Sequence, residues 1–325
     1  MSTAFLTKAG WAEAVAKPLA GDASARRYSR LTRGGETAIL MEDPEGDTAL
    51  FARLARHLLS LGLRAPRILA EAPGLLLIED LGDGLIARLA TDPETEKRLY
   101  LAATDALIAL HRHPAPPDLP RADPARLAAM TDLAFDCYAE GAGQPAPSGT
   151  KEACAAAFET ALATHAPETD VMILRDYHAE NILWLPDREG AARAGLLDFQ
   201  DALQGHRAYD LVSLIEDARR DVAPATAEAA IRHYLTATGL PEQPFRAALA
   251  VLGAQRNLRI LGVFARLAAT RGKSHYIDLI PRVWGHLQTD LRHPALAEIA
   301  TLLRDALPAP TPDILQRLKS PCPTP

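Results

Sequence analysis

The chain has 325 residues, 48% of them apolar, a formal net charge of −6 and a pI near 5.9. That length holds two domains or one large one, with enough apolar material for a sizeable core. The acidic balance excludes a general nucleic-acid binder. The three cysteines, Cys137, Cys154 and Cys322, have no paired spacing and give neither a disulfide framework nor a zinc pattern. No signal-peptide h-region and no apolar run of membrane-spanning length are seen, so a cytoplasmic protein with no membrane or nucleic-acid partner is expected, acting as a monomer.

In chain order, the first eighty residues read mainly as strands. "RRYSRLT" and "ETAILME" flank "RGG", a hairpin signal. The small, polar "GDAS" of Gly21, Asp22, Ala23 and Ser24 lies just upstream. "DTALFARLARHLLSLGL" has helical apolar spacing with Asp47 placed as N-cap. "PRILAEAPGLLLIEDLGDG" reads as strand, turn, strand and a glycine-punctuated exit. From Leu85 the chain turns helical, beginning with "PETEKRLYLAATDALIALHRH". An island of short apolar runs, "VMILRD", "NILWLP" and "AGLLDFQ", interrupts the helices at 171–200, and helices resume at Tyr209.

The expected organisation is α+β and bilobal. It has a small β-rich lobe over 1–82, a larger, mostly helical lobe over 83–307, and a mobile proline-rich tail over 308–325.

The island carries chemistry. Phosphoryl transfer needs an acceptor for a hydroxyl proton and hard oxygen ligands for Mg²⁺ against a triphosphate. The kinase template supplies an Asp, an Asn at D-x-x-x-x-N spacing, and a second Asp on a later strand. Asp176, Asn181 and Asp198 stand in that order. "ILWLPDREGAARAGLL" fits two strands joined by a turn, which would bring Asn181 and Asp198 to one cation. A D-x-x-x-x-N alone is common; followed by strand, turn and "LLDF" it is far more specific. The structural alternative is that Asp176 and Asn181 cap turns and Asp198 ends a strand.

With these motifs the chain resembles the aminoglycoside phosphotransferase and choline kinase family, of protein-kinase-like fold. "GDASARRYSR", "LLLIEDLGD", "LRDYHAENILWLPD" and "LLDFQDALQGHRAYDLVSLIEDARRDV" are similar to one subgroup, the bacterial anomeric N-acetylmuramate and N-acetylglucosamine kinases of cell-wall recycling.

The resemblance implies ATP and Mg²⁺ as cofactors and an amino sugar as acceptor. It makes Asp176 the catalytic base and Asn181 and Asp198 the Mg²⁺ ligands. Gly21 to Ser24 would cover the phosphates, Glu79, Asp80 and Leu81 would form the adenine hinge, and Asp210 would be a buried strut. Three departures stand out: Leu174 where the family's kinase-like motif has His, Gln200 in "DFQ" where kinases have Gly, and Met41 near the place of the strand lysine. The following helix also lacks a glutamate to pair with such a lysine, so another cation is needed, for which Arg27 or Arg53 is the candidate. Tyr177, His178, Glu180, Glu216 and Arg219 are the expected sugar contacts. The rival acceptors are choline, a hydroxylated amino acid or an aminoglycoside, and the rival class is a non-catalytic nucleotide-binding pseudokinase.

Overall fold

The computed structural model describes residues 2–19 and 26–319. In chain order, helix α1 (Ser2–Lys8) precedes strands β1 (Val15–Pro18), β2 (Arg27–Arg33) and β3 (Glu36–Glu42). Helix α2 (Thr48–Ser60) leads to β4 (Ile68–Ala72) and β5 (Leu75–Glu79), then α3 (Ile86–Leu89), α4 (Pro93–Leu110), α5 (Pro124–Ala129) and α6 (Thr150–His165). The island forms β6 (Val171–Ile173), β7 (Ile182–Trp184), β8 (Ala194–Leu196) and β9 (Leu203–Gly205). The rest is helical: α7 (Ala208–Ile215), α8 (Pro224–Thr238), α9 (Glu242–Arg271), α10 (Ile280–Asp290), α11 (Ala297–Ala306) and α12 (Pro312–Lys319). None of the helices among the described residues is long and apolar enough to cross a membrane.

Two units emerge from the contacts. The first joins Met1–His113 to Asp176–Ala202; the second joins Pro114–Arg175 to Leu203–Pro325. The expected lobe boundary at 82 is therefore not where the chain divides. Residues 83–113 and the β7–β8 segment group with the N-terminal sheet.

The first unit is built on a five-stranded antiparallel sheet in the order β1-β2-β3-β5-β4. Period-two alternation sets its faces: Leu31, Ala38, Leu40 and Leu77 join Trp11 in one apolar cluster. Asp47 caps α2 as its sequence predicts, its Oδ1 accepting from Leu50 N at 2.8 Å. β7 and β8 pair antiparallel, with Ile182 opposite Leu196. This is the hairpin read from "ILWLPDREGAARAGLL". Trp184 is half-buried with the Arg98 and Arg193 guanidiniums 5.7 and 5.8 Å from its ring centroid.

The second unit packs its helices around α9, which has 30 residues and spans about 45 Å. An apolar helix would suffice for packing, yet three successive polar residues are buried at its middle. Gln255 Nε2 donates to Leu127 O at 2.6 Å, Arg256 Nη2 to Ser213 Oγ at 2.6 Å, and Asn257 Nδ2 to Glu216 Oε2 at 2.6 Å. Further on, Gly262 faces the Leu133 backbone so closely that a Cβ would lie 2.2 Å from its carbonyl carbon. Only glycine allows that approach. The tail departs from expectation. Residues 312–319 are helical as α12, with Ile314 and Leu318 buried, and Tyr138 Oη donates to Pro308 O at 2.7 Å.

Candidate active site

The peptide leading into the candidate loop is bent by design. Among the described residues only Arg175 (φ 71°) and Asp198 (φ 55°) are non-glycine residues with positive φ. Each such conformation costs about 1–3 kcal/mol and persists only where the surroundings over-determine it. In the second unit, Arg175 is held by Asp210, which is fully buried. Its Oδ2 accepts from Leu174 N at 2.6 Å and its Oδ1 from Arg175 N at 2.9 Å. This is the strut expected of Asp210.

In the first unit, the β7–β8 hairpin brings Asn181 and Asp198 together, with Asn181 Nδ2 3.4 Å from Asp198 Oδ2. Asn181 Nδ2 also donates to the Asp176 carbonyl at 2.9 Å. That bond commits the nitrogen side of the amide and leaves its oxygen as the donor a hard cation uses. Asn181 and Asp198 thus offer an amide oxygen and a carboxylate, a donor pair that fits Mg²⁺ and not a soft metal.

Asp198 has a 43% exposed side chain and is met by side chains. Gln200 Nε2 donates to Oδ1 at 2.8 Å, and Arg26 Nη1 reaches the same oxygen at 3.3 Å. The departure from "DFG" thus has a consequence: the side chain that replaces glycine holds the carboxylate.

Arg26, which sequence reasoning did not choose, is the arginine that the structure places beside Asp198. Its Nε lies 3.0 Å from Asp43 Oδ2 while its Nη1 faces Asp198. Gly46 makes room for this arrangement, since a Cβ there would lie 2.1 Å from Asp43 Oδ2. Arg27, the expected candidate, is the next residue and points away. Its side chain is 73% exposed and meets Glu42 at 3.8 Å. Arg53 is exposed on α2. No local signal separates Arg26 from Arg27, since the fold brings Asp43 and Asp198 to Arg26. Met41 is buried at 1% exposure, so the strand-lysine position belongs to the core.

The hinge residues are braced by side-chain ion pairs. Glu79 pairs with Arg64 and, at 3.1 Å, with Arg67. Burial opposes ionisation of Glu79, but these bonds prevail and hold its carboxyl below the usual range. Asp80 Oδ2 lies 2.7 Å from Arg30 Nε, and the same guanidinium reaches Asp83 at 2.9 Å. Leu81 follows, half-buried. The Glu79 and Asp80 side chains are thus engaged in ion pairs within the first unit.

Several expected sugar contacts are turned elsewhere. Tyr177 is buried, its hydroxyl donating to Ala103 O at 2.7 Å, so its phenol anchors the loop to α4. His178 is also buried, with Nε2 3.3 Å from Asn181 Nδ2. Glu180 is exposed. In the second unit, Glu216 turns its carboxyl inward to Asn257 and Asp290, away from the role of a free sugar ligand. Arg219 is half-buried, and its N–H donates to Asp217 Oδ1 at 2.8 Å. Gly21, Asp22, Ala23 and Ser24 lie outside the described residues.

A model of the phosphotransferase enzyme family matches residues 15–250. The chain is 38% identical to an N-acetylmuramate/N-acetylglucosamine kinase of Caulobacter vibrioides, over 95% of this chain and 96% of that protein. It is 33% identical to a protein of the same name from Pseudomonas aeruginosa, over 90% of each. Among solved structures, an aminoglycoside phosphotransferase, APH(2")-IIIa, in complex with GDP and kanamycin shares the fold. It has a TM-score of 0.59 at 12% identity and covers 86% of this chain and 93% of that one. The kinase-like fold, the family model and relatives spanning nearly the whole length agree: this chain belongs to the phosphotransferase enzyme family.

Proposed function

We propose that the protein transfers the terminal phosphoryl group of ATP to the anomeric hydroxyl of N-acetylmuramate and N-acetylglucosamine, in the cytoplasm, giving the sugar 1-phosphate for cell-wall recycling. The β7–β8 hairpin that brings Asn181 to Asp198, with Asn181 also bonded to the Asp176 carbonyl, supports the chemistry. The two relatives of that name support the acceptor.

In this reading Mg²⁺, held by Asn181 and Asp198, supplies charge neutralisation for the phosphate oxygens. Arg26 adds a fixed positive charge beside the same carboxylate. The main chain of Glu79 to Leu81 receives the adenine. Asp176 orients the anomeric hydroxyl and accepts its proton as that oxygen bonds to phosphorus and the bond to ADP breaks. Glu180 and Arg219 serve the acceptor, an arginine being suited to a lactyl carboxylate. Positioning and charge stabilisation supply the rate.

The test is Mg-ATP with N-acetylmuramate, N-acetylglucosamine, choline, homoserine and an aminoglycoside, followed by mass and phosphorus NMR. A sugar 1-phosphate signal is expected. Transfer to another acceptor removes the sugar assignment, and ATP binding without transfer points to the pseudokinase. Asp176→Asn should lower transfer by about 10²- to 10⁴-fold with Mg-ATP still bound; full activity would remove the base from Asp176.

A further inference from the structure

Asp210 accounts for the two N–H groups at the bend before Asp176. It does not account for the other side of that bend, the Arg175 carbonyl. This oxygen belongs to the same peptide plane as the Asp176 N–H, so whatever holds it fixes where the Asp176 residue begins. Ser213 Oγ donates to it at 3.1 Å.

Ser213 sits on α7, where a hydroxyl ordinarily turns back to the carbonyl four residues earlier. It also has only one hydrogen to give. Arg256 settles the direction. Its Nη2 lies 2.6 Å from Ser213 Oγ, and a guanidinium can only donate. Ser213 must therefore accept from Arg256, and its hydrogen is left for the Arg175 carbonyl. The positive charge polarises the hydroxyl and strengthens that second bond.

The charge is maintained by its neighbours. Arg256 is 6% exposed and needs an anion close by. Glu216 and Asp290 share a hydrogen bond and both meet Asn257, the residue after Arg256, at 2.6 and 3.1 Å. Burial, with the Glu216 charge added, pushes the Asp290 carboxyl up to about 10. Burial raises Glu216 as well, against the Arg256 charge, which favours its ionised form. The two acids thus lie hydrogen-bonded to one another beside the residue that follows Arg256, and the guanidinium acts on Glu216 through its charge.

We infer that Arg256, acting through the Ser213 hydroxyl, is a positioning residue for Asp176. The inference rests on the reading of Asp176 as the base, and its test separates the two. Ser213→Ala, Ser213→Thr, Arg256→Met and the double variant Ser213→Ala/Arg256→Met are compared with wild type, using the acceptor that wild type phosphorylates best. Ser213→Ala and Arg256→Met should each lower kcat about 10- to 100-fold, while KM for Mg-ATP and acceptor changes less than about threefold. Ser213→Thr should restore most of kcat. The double variant should be no more than about threefold worse than Ser213→Ala, because both remove one relay.

Amide hydrogen exchange over 174–178 needs no substrate and should quicken about tenfold in both single variants without general loosening. Wild-type kcat and unchanged exchange in folded Ser213→Ala overturns the inference, as do losses that multiply in the double variant. If Arg256→Met fails to fold, Ser213→Ala and the exchange readout still decide. If wild type phosphorylates no acceptor, the sugar-kinase reading falls while exchange alone tests the relay.

Discussion

Asp198 lies within the island and Asp210 follows it, and the two carboxylates are held in opposite ways. Asp210 is fully buried and accepts from two backbone N–H groups. Asp198 is 43% exposed and is met by the side chains of Gln200, Arg26 and Asn181. Backbone donors cannot leave without undoing the loop, whereas side-chain donors turn away by rotating a few bonds. The first carboxylate is therefore a fixed part of the fold, and the second remains exchangeable. Burial and the kind of donor, not residue type, separate a strut from a ligand.

The sharpest way to break the contrast is to remove each acid in turn. Asp198→Ala should cost about a thousandfold or more in transfer and leave the thermal midpoint nearly unchanged. A large loss of stability would place Asp198 among the struts.

Asp210→Ala should behave the other way. Two buried N–H groups lose their acceptor, so urea unfolding should show a loss of about 3 kcal/mol or more. An unchanged urea midpoint would mean that the bend is held by something else.

The cation at the exchangeable end provides a finer test. Arg26→Met should raise KM for Mg-ATP about tenfold, and Arg27→Met should change it less than about twofold. Equal effects would mean that the contact of Arg26 with Asp198 is incidental.

The smallest effect concerns a third acid, Asp290. Its carboxyl lies far above its ordinary 3.8, at about 10, first through burial and then through Glu216. A carboxyl raised by folding contributes stability that is complete below 3.8 and is lost as pH rises toward 10. Between those limits the folded state binds more protons than the unfolded state. Asp290→Asn should flatten that decline, gaining on wild type between pH 5 and 8 by at most about 1.4 kcal/mol per pH unit. A constant gap between the two proteins would show that Asp290 titrates normally.

The contrast also explains what could be read from sequence. The approach of Asn181 to Asp198 was legible because it depends on short-range spacing and one hairpin. The α2 cap at Asp47 was legible for a related reason, whereas the buried Asp210 followed from the family resemblance alone. Arg26 was not legible, because its partners Asp43 and Asp198 are brought to it by the fold and nothing local sets it apart from Arg27. Tyr177 looked like a sugar contact beside the base, but its hydroxyl reaches Ala103, a partner that no local pattern announces. The inward turn of Glu216 depends on Asn257 and Asp290, which are distant in sequence. The tail misled through its prolines: they obscured the short apolar spacing of Ile314 and Leu318 that seats α12.

One more consequence lies in α9. Gln255, Arg256 and Asn257 reach Leu127, Ser213 and Glu216, so this stretch of helix is engaged around much of its circumference. Inserting or deleting one residue between Glu242 and Ala254 would rotate everything beyond it by about 100° relative to the start of the helix. All three bonds would fail together, and no single compensating substitution would restore them. Changes of length in descendants of this chain should therefore fall in the connections, such as the turn at Gly239, while the first half of α9 keeps its count even as its individual residues drift.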